Sequence, residues 1–293
     1  MTIWNLGSIN ADFVYRVPHL PAPGETLASS SYTRGLGGKG ANMSVAAARA
    51  GARVAHLGAI GSDGGWMLER LMEYGVDTRA IDRVSDASGH AIIAVDDAGE
   101  NQIILYPGAN HAISETRLAD RLREGAASDL FLFQNETNAQ AKAAALASGQ
   151  GMRVVYAAAP FDAAAVSDVL PLLDLLILNA VEARQLEDAT GLAPAKLPVR
   201  DVVVTRGSEG ATWFETDGGT ATDIPAIPAD AKDTTGAGDT FTGYLCAGLD
   251  RGFSMRQSLD LATKAAAIMV GRVGTADVIP DLKDIEDRFG PDA

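Results

Sequence analysis

Cysteine is nearly absent from this chain of 293 residues, which contains only Cys246. A single cysteine excludes a disulfide framework and any zinc site built from cysteines, and it indicates a reducing compartment. Long apolar runs are also missing, because no stretch approaches the roughly 18 residues that a membrane-spanning helix needs. The N-terminus lacks the basic start and the long apolar stretch of a signal peptide. We therefore expect a cytoplasmic protein that does not bind membranes.

Positive charge is scarce as well. Lysine and arginine total 24 against 38 aspartates and glutamates, which gives a formal net charge of −14. Nucleic acids and anionic membranes are bound through clustered lysine and arginine, so these charges exclude both as partners. The four histidines are dispersed without the spacing of a metal site. With 47% apolar and 21% charged residues, the composition is that of a globular protein.

Most of the chain alternates short apolar segments with helical patterns. Strands are predicted at 2–8, 54–57, 130–133, 154–157, 175–178 and 202–205, and helices at 42–50, 66–74, 239–249 and 254–270 among others. Such alternation favours a mostly parallel sheet with helices on both faces. We therefore predict a three-layer α/β/α fold, formed as one domain over residues 1–293.

Two further stretches are rich in β-forming residues and turns. One covers 12–36, where Pro18, Pro21, Pro23 and Gly24 interrupt alternating apolar residues, and the other covers 89–106 around a turn at 96–100. Neither stretch contains a helical pattern. Together they predict a small accessory sheet, here called the lid, set apart from the main body.

A glycine-rich segment, Gly35-Leu36-Gly37-Gly38-Lys39-Gly40, satisfies the spacing of a dinucleotide fingerprint. We predict no strand directly before the glycines, where the sequence reads Ser29-Ser30-Ser31-Tyr32-Thr33-Arg34, and the strand predicted at 54–57 is followed by Gly58-Ala59 instead of an acidic residue. A phosphate-binding P-loop is also excluded, because Gly40 follows Lys39 where serine or threonine is required. A turn that lets the backbone approach a ligand and a simple helix-entry turn both remain open.

The segment Asp233-Thr234-Thr235-Gly236-Ala237-Gly238-Asp239 is the most informative one. Three small residues run directly into a helix, so their backbone N–H groups converge at the positive end of the helix dipole and can form an anion hole. Asp239 alone could be an N-cap, which is a common role for aspartate at a helix start. The glycines before it and the second carboxylate, Asp233, favour a functional role.

These two segments resemble the two signatures of the ribokinase or PfkB-type carbohydrate kinase family. The resemblance covers essentially the whole chain, and Gly108-Ala109-Asn110 and the pair Asn179 and Glu182 also follow the order of the family. It implies a ribokinase-like fold and the ATP-dependent phosphorylation of a sugar hydroxyl, with ribose as the first choice. A related kinase for a nucleoside, fructose or a keto-deoxy sugar acid and a non-catalytic sugar-binding regulator are the alternatives. A nicotinamide-dependent oxidoreductase is disfavoured by the failed fingerprint.

The resemblance also assigns roles to individual residues. Asp239 is the implied general base, and Gly236, Ala237 and Gly238 are the implied anion hole. The implied sugar ligands are Asn10, Asp12, Gly38, Lys39, Asn42, Glu136 and Asp239. The implied nucleotide ligands are Asn179, Glu182, Thr205, Arg206, Gly207, Gly210, Gly238 and Thr263, with Glu182 organising Mg²⁺ through water. The implied monovalent-cation site, expected to hold K⁺, uses Asp233, Thr235, Met269, Arg272 and Gly274.

Four departures from the family pattern qualify these expectations. Ala157-Ala158-Ala159-Pro160 lacks the asparagine that the family often carries there, and Ala180 stands where ribokinases usually have another glutamate. Val278 replaces a common serine oxygen beside the cation, so we expect weaker activation. The chain between Thr190 and Thr205 is too short for the outer helix that ribokinases usually have. The lid edges, by the same resemblance, suggest a homodimer, and the helix dipole is expected to lower the pKa of Asp239.

Overall fold

The computed structural model describes residues 1–290 and contains two sheets. The large sheet has nine strands in the order β13-β12-β11-β10-β9-β8-β1-β4-β5, and the small sheet has four in the order β3-β2-β6-β7. The strands are β1 (Ile3–Leu6), β2 (Asn10–Arg16), β3 (Ser31–Gly37), β4 (Val54–Ile60), β5 (Ile81–Arg83), β6 (Gly89–Val95), β7 (Asn101–Tyr106), β8 (Leu130–Gln134), β9 (Arg153–Ala157), β10 (Leu175–Asn179), β11 (Asp201–Thr205), β12 (Ala211–Glu215) and β13 (Thr220–Ile224).

Helices cover both faces of the large sheet. They are α1 (Lys39–Arg49), α2 (Gly65–Glu73), α3 (Glu115–Leu122), α4 (Gln140–Gly149), α5 (Ala163–Val169), α6 (Ala180–Thr190), α7 (Ala237–Asp250), α8 (Met255–Met269) and α9 (Leu282–Phe289). Helices α1, α2, α7, α8 and α9 contribute to the apolar core on one face. Helices α3 to α6 contribute to the core on the other face. The three-layer architecture predicted from the sequence is confirmed.

The central strands are buried on both sides, which explains why they read as continuous apolar runs. Along β8, Leu130 and Leu132 face one core whereas Phe131 and Phe133 face the other. Seven neighbouring strands, from β11 to β5, are parallel. The edge strands β12 and β13 are antiparallel, and the sequence analysis did not predict them. It also missed the short strand β5 and the helix α9.

The small sheet is built from the two stretches predicted for the lid. Strands β2 and β6 are parallel in its centre, while β3 and β7 are antiparallel at its edges. Every residue of β7 is exposed. Between Thr190 and Thr205 the chain forms only a short 3₁₀ turn, Pro194–Lys196, before β11 begins, so the shortened connection predicted for this segment is observed. Within residues 1–290, no helix has the length and apolar character that crossing a membrane requires.

Candidate active site

The residues predicted for the site lie where the parallel strands end and the small sheet begins. β1 leads through a short loop into β2, and α1 begins directly after β3. Asn179 and Thr205 are register neighbours at the ends of β10 and β11. In open α/β sheets, ligands bind at this carboxyl edge of the strands. The topology therefore brings residues from distant parts of the chain to one pocket.

Asn10 is buried at the start of β2, and a second asparagine fixes its orientation. The Nδ2 of Asn110 donates to the Oδ1 of Asn10 at 2.7 Å, and the Oδ1 of Asn110 accepts from the backbone N–H of Ile9 at 2.9 Å. With its oxygen already used, Asn10 offers its own Nδ2 as a donor to a ligand. The sequence analysis noted Gly108-Ala109-Asn110 as a marker but gave Asn110 no role.

Glu136 connects the two sugar-binding segments that the sequence analysis proposed. Its Oε2 accepts from the backbone N–H of Lys39 at 3.1 Å and from the hydroxyl of Ser8. Its Oε1 lies 3.9 Å from the Nζ of Lys39. Ser8 also accepts from the N–H of Gly40 at 3.3 Å. The sequence analysis gave Ser8 no role and placed it at the end of the strand predicted at 2–8, whereas the structure ends β1 at Leu6.

Asp12 lies on β2 opposite Gly35, and its carboxylate rests against Gly37 of the neighbouring strand. A Cβ at Gly37 would overlap that carboxylate, so only glycine leaves room for it. Burial, followed by the nearby charge of Glu136, raises the pKa of Asp12 to about 7. Asp12 is therefore a carboxyl group that changes its charge near neutral pH.

Asp239 lies in the first turn of α7, and Asn42 of α1 holds it in place. The Nδ2 of Asn42 donates to the Oδ2 of Asp239 at 2.9 Å. The Oδ1 of Asn42 is buried and has no partner within residues 1–290. A ligand hydroxyl that donates to this oxygen would lie beside the Asp239 carboxylate.

The expected lowering of the pKa of Asp239 is wrong. Burial raises the pKa of this carboxyl, and the charge of Glu136 adds to the effect. The charge of Lys39 and the hydrogen bond from Asn42 lower the pKa, but they offset the effect of burial only in part. The expectation rested on the helix dipole, which the sequence indicates. The burial of Asp239 follows from the packing of α7 against α1, and its effect on the pKa is the larger one.

The start of α7 leaves backbone N–H groups available for an anion. Gly236 is the N-cap, with φ of 72°, and no side chain in the described part of the chain caps this helix. The N–H of Ala237 makes only a long bond of 3.3 Å to the carbonyl of Thr234. This arrangement fits the anion hole predicted for Gly236, Ala237 and Gly238.

Lys39 is the positive charge among several carboxylates. Burial opposes its charge, but the carboxylates of Asp239, Glu136 and Glu182 outweigh this effect and raise its pKa. Burial raises the pKa of Glu182, and the charge of Lys39 counteracts this. The pocket thus holds more negative charge than one lysine neutralises, which fits the binding of cations together with an anionic ligand.

Asn179 and Glu182 form a capping box at the start of α6. The side chain of Asn179 accepts from the N–H groups of Val181 and Glu182, both at 2.9 Å, and Glu182 accepts from the N–H of Asn179 at 2.7 Å. The pair therefore has a structural role, because these reciprocal hydrogen bonds stabilise the start of α6. The charge of Glu182 also acts on Lys39, so the same carboxylate faces the pocket.

The end of β11 and the loop after it contain four of the predicted nucleotide ligands. Gly207 and Gly210 have φ of 58° and 88°, and the N–H of Arg206 donates to the carbonyl of Gly210 at 2.7 Å. The Arg206 guanidinium donates to Thr212 and, at 3.2 Å, to Asp223. These hydrogen bonds to residues of β12 and β13 fix the orientation of the Arg206 side chain. The hydroxyl of Thr205 donates to the carbonyl of Leu178 at 3.4 Å.

The residues predicted for the monovalent cation lie together. The Asp233 carboxylate accepts from the N–H of Thr235 at 2.9 Å and from that of Gly274 at 3.2 Å. Met269 ends α8, its carbonyl accepts from the N–H of Arg272 at 3.0 Å, and its side chain borders Gly236. The Arg272 side chain points to Asp284, at 2.8 Å, so only its backbone carbonyl could serve the site.

Thr263 lies on α8, where its hydroxyl donates to the carbonyl of Leu259 at 2.8 Å. Among residues 1–290 no cluster of three histidine, cysteine or acidic side chains has the arrangement of a metal site. The pocket brings together groups that can orient a hydroxyl, accept its proton and stabilise an anion.

Comparison with known proteins gives a consistent result. The profile described as "pfkB family carbohydrate kinase" matches residues 2–282. A ribokinase from Haemophilus influenzae is 37% identical over 97% of this chain and 96% of its own length. A ribokinase from Cryptococcus neoformans in complex with ADP has a TM-score of 0.85 at 30% identity and covers 98% of this chain and 99% of its own. An Arabidopsis thaliana ribokinase complexed with ribose and ATP has a TM-score of 0.85 at 28% identity, with coverage of 98% and 97%.

Proposed function

The chain belongs to the pfkB family of carbohydrate kinases, and we propose that it transfers the γ-phosphate of ATP to ribose to form ribose 5-phosphate. ATP-dependent phosphorylation of a sugar follows from the family. The choice of ribose is supported by ribokinases that match over nearly the whole chain and by the similar structure that holds ribose and ATP. The observation that carries the proposal is the convergence of Lys39, Asn42 and Glu136 around Asp239, with Asp12 near Glu136 and Asn10 beside Gly38.

The acceptor hydroxyl is activated by Asp239. Asn42 fixes one carboxylate oxygen of Asp239 and keeps its own buried oxygen for a ligand, so the hydroxyl is oriented and deprotonated by adjacent groups. A general base must be ionised to accept a proton. Burial raises the pKa of Asp239, and the positive charge of Lys39 keeps the ionised form accessible. As the hydroxyl attacks phosphorus, its proton moves to the carboxylate and ADP leaves with the electrons of the broken P–O bond.

Negative charge on the transferred group is stabilised by backbone dipoles. The N–H groups of Gly236, Ala237 and Gly238 lie at the uncapped start of α7, where the helix dipole favours an anion. Such donors are fixed before the reaction, so no reorganisation is needed when charge develops. Gly38 and Lys39 complete the pocket on the sugar side, with Lys39 placed between the carboxylates of the sugar and nucleotide halves.

The nucleotide is held at the ends of β10 and β11. Asn179, Glu182, Thr205, Arg206, Gly207 and Gly210 line this edge in our proposal, together with Gly238 and, beside the adenine, Thr263. Mg²⁺, when bound with ATP, neutralises phosphate charge, and Glu182 is the carboxylate placed to hold it through water. Glu182, Asp239 and Glu136 surround Lys39 with more negative charge than it neutralises, and this excess supports a cation here.

A monovalent cation, K⁺ in our proposal, occupies the loop that contains Asp233. The Asp233 carboxylate and the backbone carbonyls of Thr235, Met269, Arg272 and Gly274 are its ligands. The hydrogen bond from Gly274 to Asp233 supports this site, because it brings the two contributing segments together beside the anion hole. Val278 lies against Gly274 and offers no oxygen, so we expect modest activation.

The small sheet acts as the lid of one kinase domain that covers the whole chain, and it closes over the sugar to exclude water. Its edge strand β7 exposes Ile103, Ile104, Leu105 and Tyr106 by 45–61%, and it is paired only with β6. An exposed apolar edge strand is a template for pairing with another chain. We propose that a second copy of the protein covers it. Because ATP is the phosphoryl donor, we place the enzyme in the cytoplasm.

The test is a coupled ADP-release assay with ATP and Mg²⁺ across an acceptor panel. The panel contains D-ribose, other pentoses, fructose, adenosine, inosine and a keto-deoxy sugar acid, and Asp239→Asn is the matched blank. We expect the highest kcat/KM with D-ribose and a product phosphorylated at its 5-hydroxyl by phosphorus NMR. Turnover of a nucleoside or fructose with inert ribose would refute the choice of ribose. Sugar binding without ADP release from any acceptor would support a sugar-binding regulator instead.

A further inference from the structure

A network of buried polar side chains, here called the polar network, lies beneath the sugar pocket. Asn5 of β1, Ser44 of α1, His56 of β4 and Gln134 of β8 are each at most 1% exposed. They come from four elements and meet between the sheet and α1. Polar groups are costly to bury unless they are paired, so each of these residues has to be explained by its partners. None of them belongs to the ligand sets described above.

The donor and the acceptor of each hydrogen bond in this polar network can be assigned. The Nε2 of His56 lies 3.1 Å from the carbonyl oxygen of Gly7, which can only accept, so Nε2 carries the proton. The Nδ1 of His56 then accepts from the hydroxyl of Ser44 at 2.8 Å. Burial lowers the pKa of His56 to about 4, which agrees with a neutral imidazole.

Asn5 extends the polar network to Gly40 in the first turn of α1. Its Nδ2 donates to the Oγ of Ser44 and to the carbonyl of Gly40, both at 2.8 Å. Its Oδ1 accepts from the Nε2 of Gln134 at 2.8 Å. The polar network therefore reaches two backbone carbonyls, those of Gly7 and Gly40, and at its third end the buried Oε1 of Gln134 has no partner within residues 1–290.

Gly7 and Gly40 are the points where the two sugar-binding segments touch. A Cβ at either glycine would overlap the backbone of the other, so the two segments are in direct backbone contact. Gly7 begins the short loop that leads into β2, which carries Asn10 and Asp12, and Gly40 directly follows Lys39 and precedes Asn42. A shift of one glycine relative to the other would separate the donors and acceptors of the two halves.

We propose that His56 is a positioning residue for sugar binding, because its Nε2–H holds the Gly7 carbonyl and thereby fixes the start of β2, with Asn10 and Asp12, against the Lys39–Asn42 segment. Without that donor the Gly7 carbonyl is buried and unpaired, which favours a displaced loop. Small displacements of binding groups are costly because positioning depends on sub-ångström geometry. The proposal rests on the proposed function, since it takes this pocket to be the sugar site.

Two substitutions of His56 separate the link to Gly7 from the link to Ser44. His56→Gln extends an amide N–H toward the position of Nε2, whereas His56→Asn reaches only the position of Nδ1. For His56→Asn we expect the KM for D-ribose to rise about fivefold or more, from the loss of one buried hydrogen bond. The KM for ATP should stay within about twofold, because the nucleotide half is not linked to Gly7. His56→Gln should restore most of the affinity for ribose.

Tyr244→Phe is the matched control for a purely structural effect. Its hydroxyl donates to the carbonyl of Pro280 at 2.7 Å in the core, away from Gly7, so this variant also removes one buried bond to a carbonyl. It should lower the melting temperature without changing the KM for ribose. If His56→Asn lowers the melting temperature in the same way and leaves the KM for ribose unchanged, the proposal is wrong. Equal KM values for His56→Asn and His56→Gln would also overturn it.

A second variant covers the case in which His56→Asn does not fold. Ser44→Ala leaves Nε2 in place but removes the hydroxyl that orients the ring, so the KM for ribose should rise in the same direction. An unchanged value in that folded variant would overturn the proposal. If the wild-type enzyme does not phosphorylate ribose, the proposed substrate fails, and the same comparison is made with the acceptor that the panel identifies.

Discussion

Asp12→Asn is expected to stabilise the protein above neutral pH while it impairs the use of sugar. Burial, followed by the charge of Glu136, raises the pKa of Asp12 from its ordinary value of 3.8 to about 7. In the unfolded chain the carboxyl is ionised above its ordinary pKa. The folded protein retains the proton up to about pH 7. Wild-type stability therefore falls as pH rises between these two values, because the unfolded state binds fewer protons. Asparagine keeps the shape and carries no charge, so the variant does not have this loss.

The size of the effect follows from the shift in pKa. Each unit corresponds to about 1.4 kcal/mol, so the variant gains at most about 4 kcal/mol above pH 7. For a chain of 293 residues, that corresponds to a rise in melting temperature of at most roughly 7 °C. Near pH 4 the two proteins should melt at the same temperature. The KM for ribose should increase, because Asp12 loses an acceptor for hydroxyl groups.

The assay is thermal unfolding at pH 4, 5, 6 and 8 with ribose kinetics at pH 8. Asp129→Asn is the control of opposite sign. Burial opposes the ionisation of Asp129, but hydrogen bonds from Ala126, Trp4 and Thr2 outweigh it and lower its pKa. This control should therefore lose stability at pH 8. A difference between Asp12→Asn and wild type that does not grow with pH, or a variant less stable than wild type at pH 8, would refute the reasoning.

Three further predictions concern the base, the cation loop and the small sheet. Asn42→Ala should lower kcat/KM for ribose by roughly 10- to 100-fold, which is what the loss of a hydrogen bond to a charged group costs. It should also shift the acidic limb of the pH profile of kcat/KM to higher pH, because Asn42 lowers the pKa of Asp239. An acidic limb that does not shift would contradict this. K⁺ should raise kcat relative to tetramethylammonium at equal ionic strength, whereas Asp233→Asn should abolish the difference; equal rates in both salts for wild type would remove the cation site. Ile104→Lys on β7 should convert a dimer to a monomer in sedimentation, with Arg121→Lys on the exposed face of α3 as a surface control; a wild-type monomer contradicts the dimer.

The parts of the fold predicted from the sequence are those dictated by local pattern. Strands such as β8 and β10 are buried on both faces, so they appear as apolar runs between helices. β13 (Thr220–Ile224) was missed because it is exposed and polar, and β12 (Ala211–Glu215) because it is short, partly exposed and paired with β13. The helix α9 was missed because Leu282–Phe289 is short and mostly charged. These elements become regular only through tertiary pairing and packing.

The site shows the same division between local pattern and tertiary structure. The glycine-rich segments before α1 and α7 were recognisable because a helix start that approaches a ligand needs small residues. The links from Asn110 to Asn10 and from Ser8 to Glu136 join residues 100 and 128 positions apart, so no spacing rule could indicate them. The pKa of Asp239 was predicted in the wrong direction because burial is a property of the packed structure.

The central claim is that Asp239 accepts the proton of the sugar hydroxyl, and Asp239→Asn tests it most directly. The variant keeps the shape of the side chain at the start of α7 but cannot act as a base. We expect it to fold as wild type does and to bind ribose in calorimetry, while its kcat falls by about 10²- to 10⁴-fold, the usual contribution of a positioned general base. A folded variant that binds ribose and retains a kcat near that of wild type would contradict the mechanism.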